Sequence, residues 1–107
     1  MVHERPDGAP PTTLHVFARF CVREGEEEAV AAAIQEVLVP SRNEPGCLRA
    51  EAFRSTKGRH TMVIHSVWRD EMAFDEHAQM PHTRHFIDRV EALISHPLDV
   101  TRTRSMD

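Results

Sequence analysis

The chain has 107 residues, a length that suits one domain able to bury a core without disulfide or metal support. A content of 40% hydrophobic and 28% charged residues excludes wholesale disorder, and a formal net charge of −4 argues against nucleic acid as the main partner, because phosphate binding needs a basic field. No apolar run reaches the roughly 18 residues of a membrane span, and the opening MVHERPDGAPP lacks the apolar segment of a secretion signal, so a cytoplasmic protein without membrane attachment is expected.

Residues 1–12 hold three prolines, one glycine and no periodicity, and read as a mobile arm ahead of a single domain over 13–107. Residues 14–22, LHVFARFCV, alternate. Leu14, Val16, Ala18, Phe20 and Val22 share one side, with His15, Phe17, Arg19 and Cys21 on the other, which predicts a strand. Gly25 breaks it. In EEEAVAAAIQEVLVP, Val30, Ala33, Ile34, Val37 and Leu38 recur at helical spacing, and Glu26, Glu27 and Glu28 occupy the first turn, where the helix dipole favours acids. Pro40 limits or kinks that helix, and Pro45-Gly46 ends the segment. Residues 47–55 predict a second strand, with Leu48, Ala50 and Ala52 on one side and Arg49, Glu51 and Phe53 on the other. The turn STKGR leads to a third strand, HTMVIHSVW over 60–68, so the two form a hairpin. Asp70 is placed to cap a short helix over 71–80. Pro81 interrupts it and can begin another, with Phe86, Ile87, Val90, Leu93 and Ile94 on its apolar side. His96-Pro97 ends that helix, and LDVTRTR over 98–104 alternates as a last, edge strand.

The order β-α-β-β-α-β predicts an α+β, ferredoxin-like fold: an antiparallel sheet of order 4-1-3-2 with helices on one face. The other face stays bare. It would carry His15, Phe17, Phe53, Val63 and Val67 beside Arg19, Arg49, Glu51 and His65, an apolar and charged mixture that a partner surface would cover and a monomer would leave partly solvated.

At this point the sequence resembles the antibiotic biosynthesis monooxygenase family of dimeric α/β barrels. The resemblance rests on Ala18-Arg19-Phe20 followed by Glu24-Gly25, on Glu44-Pro45-Gly46-Cys47-Leu48, on Trp68 with acidic residues after it, and on His77, Pro81-His82 and Phe86. It runs from about Leu14 to Arg104. It implies a homodimer built bare face to bare face. The chemistry of such proteins is varied: quinol and polyketide monooxygenases without a cofactor, haem-degrading enzymes, small-molecule isomerases, and members with no known activity. Fold alone therefore does not settle function.

The candidate site lies on the helix-covered side. Trp68 ends the third strand, and Ala73, Phe74, His77 and Ala78 share one helix face at offsets 0, 1, 4 and 5. Trp68 and His77 can therefore line one cavity, with Phe74 and Phe86 as further walls and small Ala18, Ala50 and Ala52 leaving room beneath. Such a pocket suits a flat aromatic ligand. A plain core role for Trp68 and His77, the histidine holding a backbone carbonyl, fits the same spacing. The resemblance implies a small aromatic substrate, a quinol or polyphenol, and dioxygen. In a cofactor-free oxygenase the substrate supplies the electrons, and a base must remove its proton. His77 is the expected base, since imidazole titrates near working pH. His82 is a candidate for orienting the substrate, and equally a solvated helix-start residue. Two other functions stay open: an isomerase or other proton-transfer enzyme using the same histidine, and a non-catalytic small-ligand binder, haem included.

The haem-degrading relatives use an asparagine on the first strand where this chain has Ala18, so haem cleavage is not expected. His82 and His85 stand three apart on one helix and invite a metal reading with His77. Pro81 separates them from His77, and no carboxylate or cysteine lies at an obvious completing spacing, so no metal and no other cofactor is expected. Cys21 and Cys47 fall on strands separated by a third and are expected to stay unpaired.

Overall fold

A computed structural model describes residues 10–107. The expected arm lies outside the described residues over 1–9; residues 10–13 form a turn in which the Thr13 N–H donates to the Pro10 carbonyl at 3.0 Å. The elements are β1 (Leu14–Cys21), α1 (Glu27–Arg42), β2 (Cys47–Arg54), β3 (Thr61–Trp68), α2 (Glu71–Gln79), α3 (Pro81–Glu91) and β4 (Asp99–Thr103). The sheet is antiparallel, with order β2-β3-β1-β4, the order expected from the sequence. The fold is α+β, with a four-stranded sheet and three helices. No helix among the described residues is long and apolar enough to cross a membrane.

Local chemistry accounts for the boundaries. Pro40 does not stop α1, which runs on to Arg42. A proline in the last turn removes one helical hydrogen bond close to where the ladder ends anyway. The Arg42 Nε then donates to the Ala50 carbonyl at 3.0 Å, which ties the helix end to β2. Pro81 stands at the first position of α3, where its missing N–H is harmless.

One strand departs from simple alternation. Cys47 pairs with Trp68, yet Arg49 pairs with Val67, so Leu48 has no cross-strand partner. This bulge reverses the side on which the strand's first residues fall. Leu48, expected to face the helices, is 56% exposed, and Cys47 packs inward instead.

The helices cover the face carrying Leu14, Val16, Phe20, Met62 and Trp68, all buried. Most of the core gathers Phe20, Val30, Ile34, Phe86 and Val90; a second cluster holds Leu14, Val16, Trp68 and Ala73. Among the described residues no helix lies over the opposite sheet face. Its cross-strand rows place Glu51 beside His65 and His65 beside Phe17, and Phe53 beside Val63 and Val63 beside Arg19. Phe17 and Phe53 are exposed, the Phe17 ring stacks on His65 at 4.5 Å, and Arg49 pairs with Glu51 along β2.

Candidate active site

The site is built where β3 ends and α2 begins. Trp68 is 1% exposed, and its indole N–H donates to Ser66 Oγ at 2.9 Å. Two residues on, the Asp70 carboxylate accepts the Ala73 N–H at 2.8 Å, the expected cap. That cap fixes the phase of α2, so Ala73 is buried and Phe74, His77 and Ala78 line a cavity of about 290 Å³ between sheet and helices. Ala18 and Ala50 leave the space, and Phe86 bounds it from α3. Ala52, expected beside them, is exposed and lines a shallow groove beside α1 instead.

The aromatic groups touch. The His77 ring lies 4.4 Å from the Trp68 ring at a tilt of 35°, and Phe74 meets Trp68 edge-on at 5.8 Å. Phe86 is buried and meets Phe20 edge-on, so it belongs to the core as much as to the cavity wall. On the open side Arg102 of β4 pairs with Asp75 at 2.8 Å and with Glu71 at 3.2 Å, and its guanidinium stands 4.8 Å over Phe74. The edge strand thereby fastens α2 over the cavity.

A carboxylate that had no assigned role in the sequence completes the group. Glu44, in the loop after α1, places Oε2 2.7 Å from His77 Nδ1 and 2.7 Å from His82 Nε2. The three side chains are largely buried, and Thr83 Oγ1 lies 3.3 Å from the same His77 nitrogen. An ionised carboxylate can only accept, so both imidazoles donate: His77 through Nδ1–H and His82 through Nε2–H. The second ring nitrogen of His77, Nε2, makes no hydrogen bond among the described residues. Burial holds the His77 imidazole below the usual histidine pKa; Glu44 pulls it back up, and His82 lowers it further. His77 is therefore neutral at physiological pH, with a lone pair on Nε2.

His82 is not a lining residue of the main cavity. It borders a smaller groove between α1 and α3, shared with Pro40 and His85, and reaches the site through Glu44. His85 is exposed and stands apart from the Glu44 cluster. The sequence offered no completing carboxylate for the histidines; the fold supplies one from 33 residues before His77. The signal was the Glu44-Pro45-Gly46 turn, which pins the end of α1 against the start of α2. Cys21 and Cys47 are both free, and burial pushes the Cys47 thiol pKa up. Ala18 presents a methyl to the cavity, which offers a ligand no hydrogen bond.

Comparison with known proteins agrees with this architecture. The family profile for antibiotic biosynthesis monooxygenase matches residues 13–89. The protein named "Putative monooxygenase Rv0793" from Mycobacterium tuberculosis is 30% identical over 92 residues, covering 86% of this chain and 90% of its own. Its solved structure superposes with a TM-score of 0.84 at 29% identity, over 89% of this chain and 96% of that one. "Putative monooxygenase YcnE" from Bacillus subtilis is 30% identical over 82 residues, 77% of this chain and 86% of its own. A third relative, the uncharacterized protein sll1783 of Synechocystis, is 28% identical over 79% of this chain, which spans 58% of that protein's length. The chain belongs to the antibiotic biosynthesis monooxygenase family.

Proposed function

We propose that this protein is a monooxygenase that oxidises a one- or two-ring quinol or polyphenol with dioxygen and needs no resident cofactor. The observation that carries the reading is His77: a neutral imidazole set on Trp68, bonded through Nδ1 to Glu44, and lining a partly open, mainly apolar cavity. The volume of about 290 Å³ sits at the small end of ligand pockets, which run roughly 300–1,000 Å³.

The chemistry follows from these groups. His77 Nε2 accepts a phenolic proton, and Glu44 stabilises the imidazolium that forms. Trp68 and Phe74 hold the ring of the resulting phenolate, whose electron density can reduce dioxygen. For a simple quinol the balance is quinol plus O₂ giving hydroxyquinone plus water: the ring supplies four electrons, one oxygen atom enters it and the other leaves as water. Glu44 is a positioning residue, and His82 holds Glu44 in turn. A homodimer through the bare sheet face belongs to this proposal, since Phe17 and Phe53 stand exposed there. So does a cytoplasmic location, which the two free cysteines favour.

Oxygen uptake against a panel of hydroquinones, catechols and naphthoquinols tests the reading. Uptake with one of them, abolished in His77→Gln, is the expected result. Proton exchange into substrate without oxygen consumption would make the protein an isomerase-type catalyst. Saturable binding without turnover would make it a ligand-binding protein.

A further inference from the structure

The cluster that orients the base has a second chemical capacity. We propose that Glu44, His77 and His82 form a binding site for a divalent transition-metal ion, and that the bound ion switches the base off. The site is assembled from three segments: the loop after α1, α2 and α3. One ligand atom from each side chain lies within 4.8 Å of the other two, and Glu44 Oε2 stands 2.7 Å from both His77 Nδ1 and His82 Nε2. Two imidazole nitrogens and one carboxylate oxygen suit zinc, cobalt and ferrous ions, and suit magnesium and calcium poorly.

Electrostatics favours occupancy. The Glu44 side chain is 9% exposed, and its salt-bridge partners among the described residues are the two histidines alone, with no arginine or lysine. A carboxylate this buried, with no arginine or lysine beside it, is a setting that a bound cation relieves. The geometric demand is a repositioning of the two imidazoles within a cluster whose ligand atoms already lie within 4.8 Å of one another. Donor atoms around a tetrahedral ion with bonds of about 2.0–2.1 Å stand about 3.3 Å apart. Each imidazole nitrogen must therefore retreat by about 0.6 Å from its present 2.7 Å contact with Glu44. Thr83 Oγ1, 3.3 Å from His77 Nδ1, gives the site a polar neighbour on that side.

The switching half of the proposal rests on His77 acting as the base; the ion site itself does not. A metal takes the lone pair of Nδ1, so the proton of neutral His77 has to sit on Nε2. The nitrogen that had accepted a proton then donates one, and proton abstraction stops. His82 changes tautomer in the same way, from Nε2–H to Nδ1–H, and Glu44 loses no proton.

Zinc chloride titrated into the full chain, followed by calorimetry, tests the site, with cobalt as spectroscopic probe. One zinc per chain with a Kd at or below about 1 μM, and the intense visible bands of four-coordinate cobalt, are expected. His82→Ala and Glu44→Gln should each weaken zinc at least tenfold, while His85→Ala should not. Thermal melts check that the variants fold; should Glu44→Gln fail to, His82→Ala decides. No heat of binding, cobalt left six-coordinate, or unchanged affinity in His82→Ala would overturn the site. Nitrogen-15 NMR of the His77 ring tests the switch without any turnover. Nε2 should pass from unprotonated to protonated as zinc fills the site. A ring that keeps its proton on Nδ1 at full occupancy would overturn the switch and leave the base reading standing.

Discussion

Replacing Gly46 by alanine is the sharpest structural test of how the two halves of the site are held together. Gly46 follows Glu44 by two residues, and its carbonyl accepts the Arg69 N–H at 2.9 Å. Its backbone φ is not positive, so the need for glycine there is not conformational. The need is space: a methyl on Gly46 would point at the Ala73 methyl, with the Ala73 Cα at 3.5 Å behind it. The two methyls would overlap by about 1 Å relative to the roughly 3.5–4.0 Å that carbon atoms require. Neither side chain can rotate away, and Ala73 is 3% exposed, so backbone must move. The overpacking should destabilise by about 1–3 kcal/mol. At about 4–8 °C per kcal/mol for a chain of this size, the Tm should drop by at least ~4 °C. The displacement also opens the 2.7 Å bond between Glu44 and His77, because the loop and α2 carry one partner each. Since Glu44 raises the His77 pKa, the ring should titrate lower in the variant than in the parent protein. Circular-dichroism melts and NMR titration of the His77 ring give both readouts. Ala73→Gly in the same background removes the second methyl and should recover stability beyond additivity. A Gly46→Ala protein melting within about a degree of the parent, or strict additivity with Ala73→Gly, would refute the close-contact argument.

Three further outcomes are expected. His77→Gln should lower turnover by about 10²–10⁴-fold, whereas His82→Ala should fall short of that loss by at least about tenfold and shift the pH profile, since it reaches the base through Glu44; equal losses would refute the assignment. Light scattering at micromolar concentration should give about twice the 12.2 kDa chain mass, with Phe17→Glu returning the monomer; interfaces of this kind bury well over ~1,000 Å², and a parent protein found only as monomer would sink the pairing. Thermal stability should fall with acid: burial, the largest cause for both groups, holds His65 and His77 below their unfolded pKa of about 6.5. The unfolded chain then binds more protons, so this stability is fully present above about pH 6.5 and is lost as pH falls below it. A Tm that does not change between pH 8 and pH 5 would contradict that sign.

The strands and helices were legible because each buries one face, and burial imposes its period on the residues. Phe20 and Val16 on β1, and Val30 and Ile34 on α1, announce themselves this way. Leu48 was misread because one unpaired residue in β2 reverses parity locally, and alternation carries no mark of a bulge. Trp68, Phe74 and His77 could be placed together because they lie within ten residues and share a short helix phase. Glu44 could not be joined to His77 by spacing, since the contact is made across 33 residues by the packing of a turn against α2. His82 shows the same limit. Its position at a helix start suggests solvent, but the neighbouring loop brings a buried carboxylate to it.

Trp68 is the chain's single tryptophan, and tyrosine is absent. Intrinsic fluorescence excited at the indole band therefore arises from one cavity wall, with no background from elsewhere in the molecule. His77 sits in van der Waals contact range of that indole, and a protonated imidazole quenches indole emission where a neutral one does so weakly. The protein thus carries a built-in optical reporter. Emission intensity against pH reads the ionisation of one histidine, and its change on adding a colourless aromatic molecule reads entry of that molecule into the cavity. A label-free screen of aromatic compounds, ranked by the shift of one emission band, can be run before any reaction has been found.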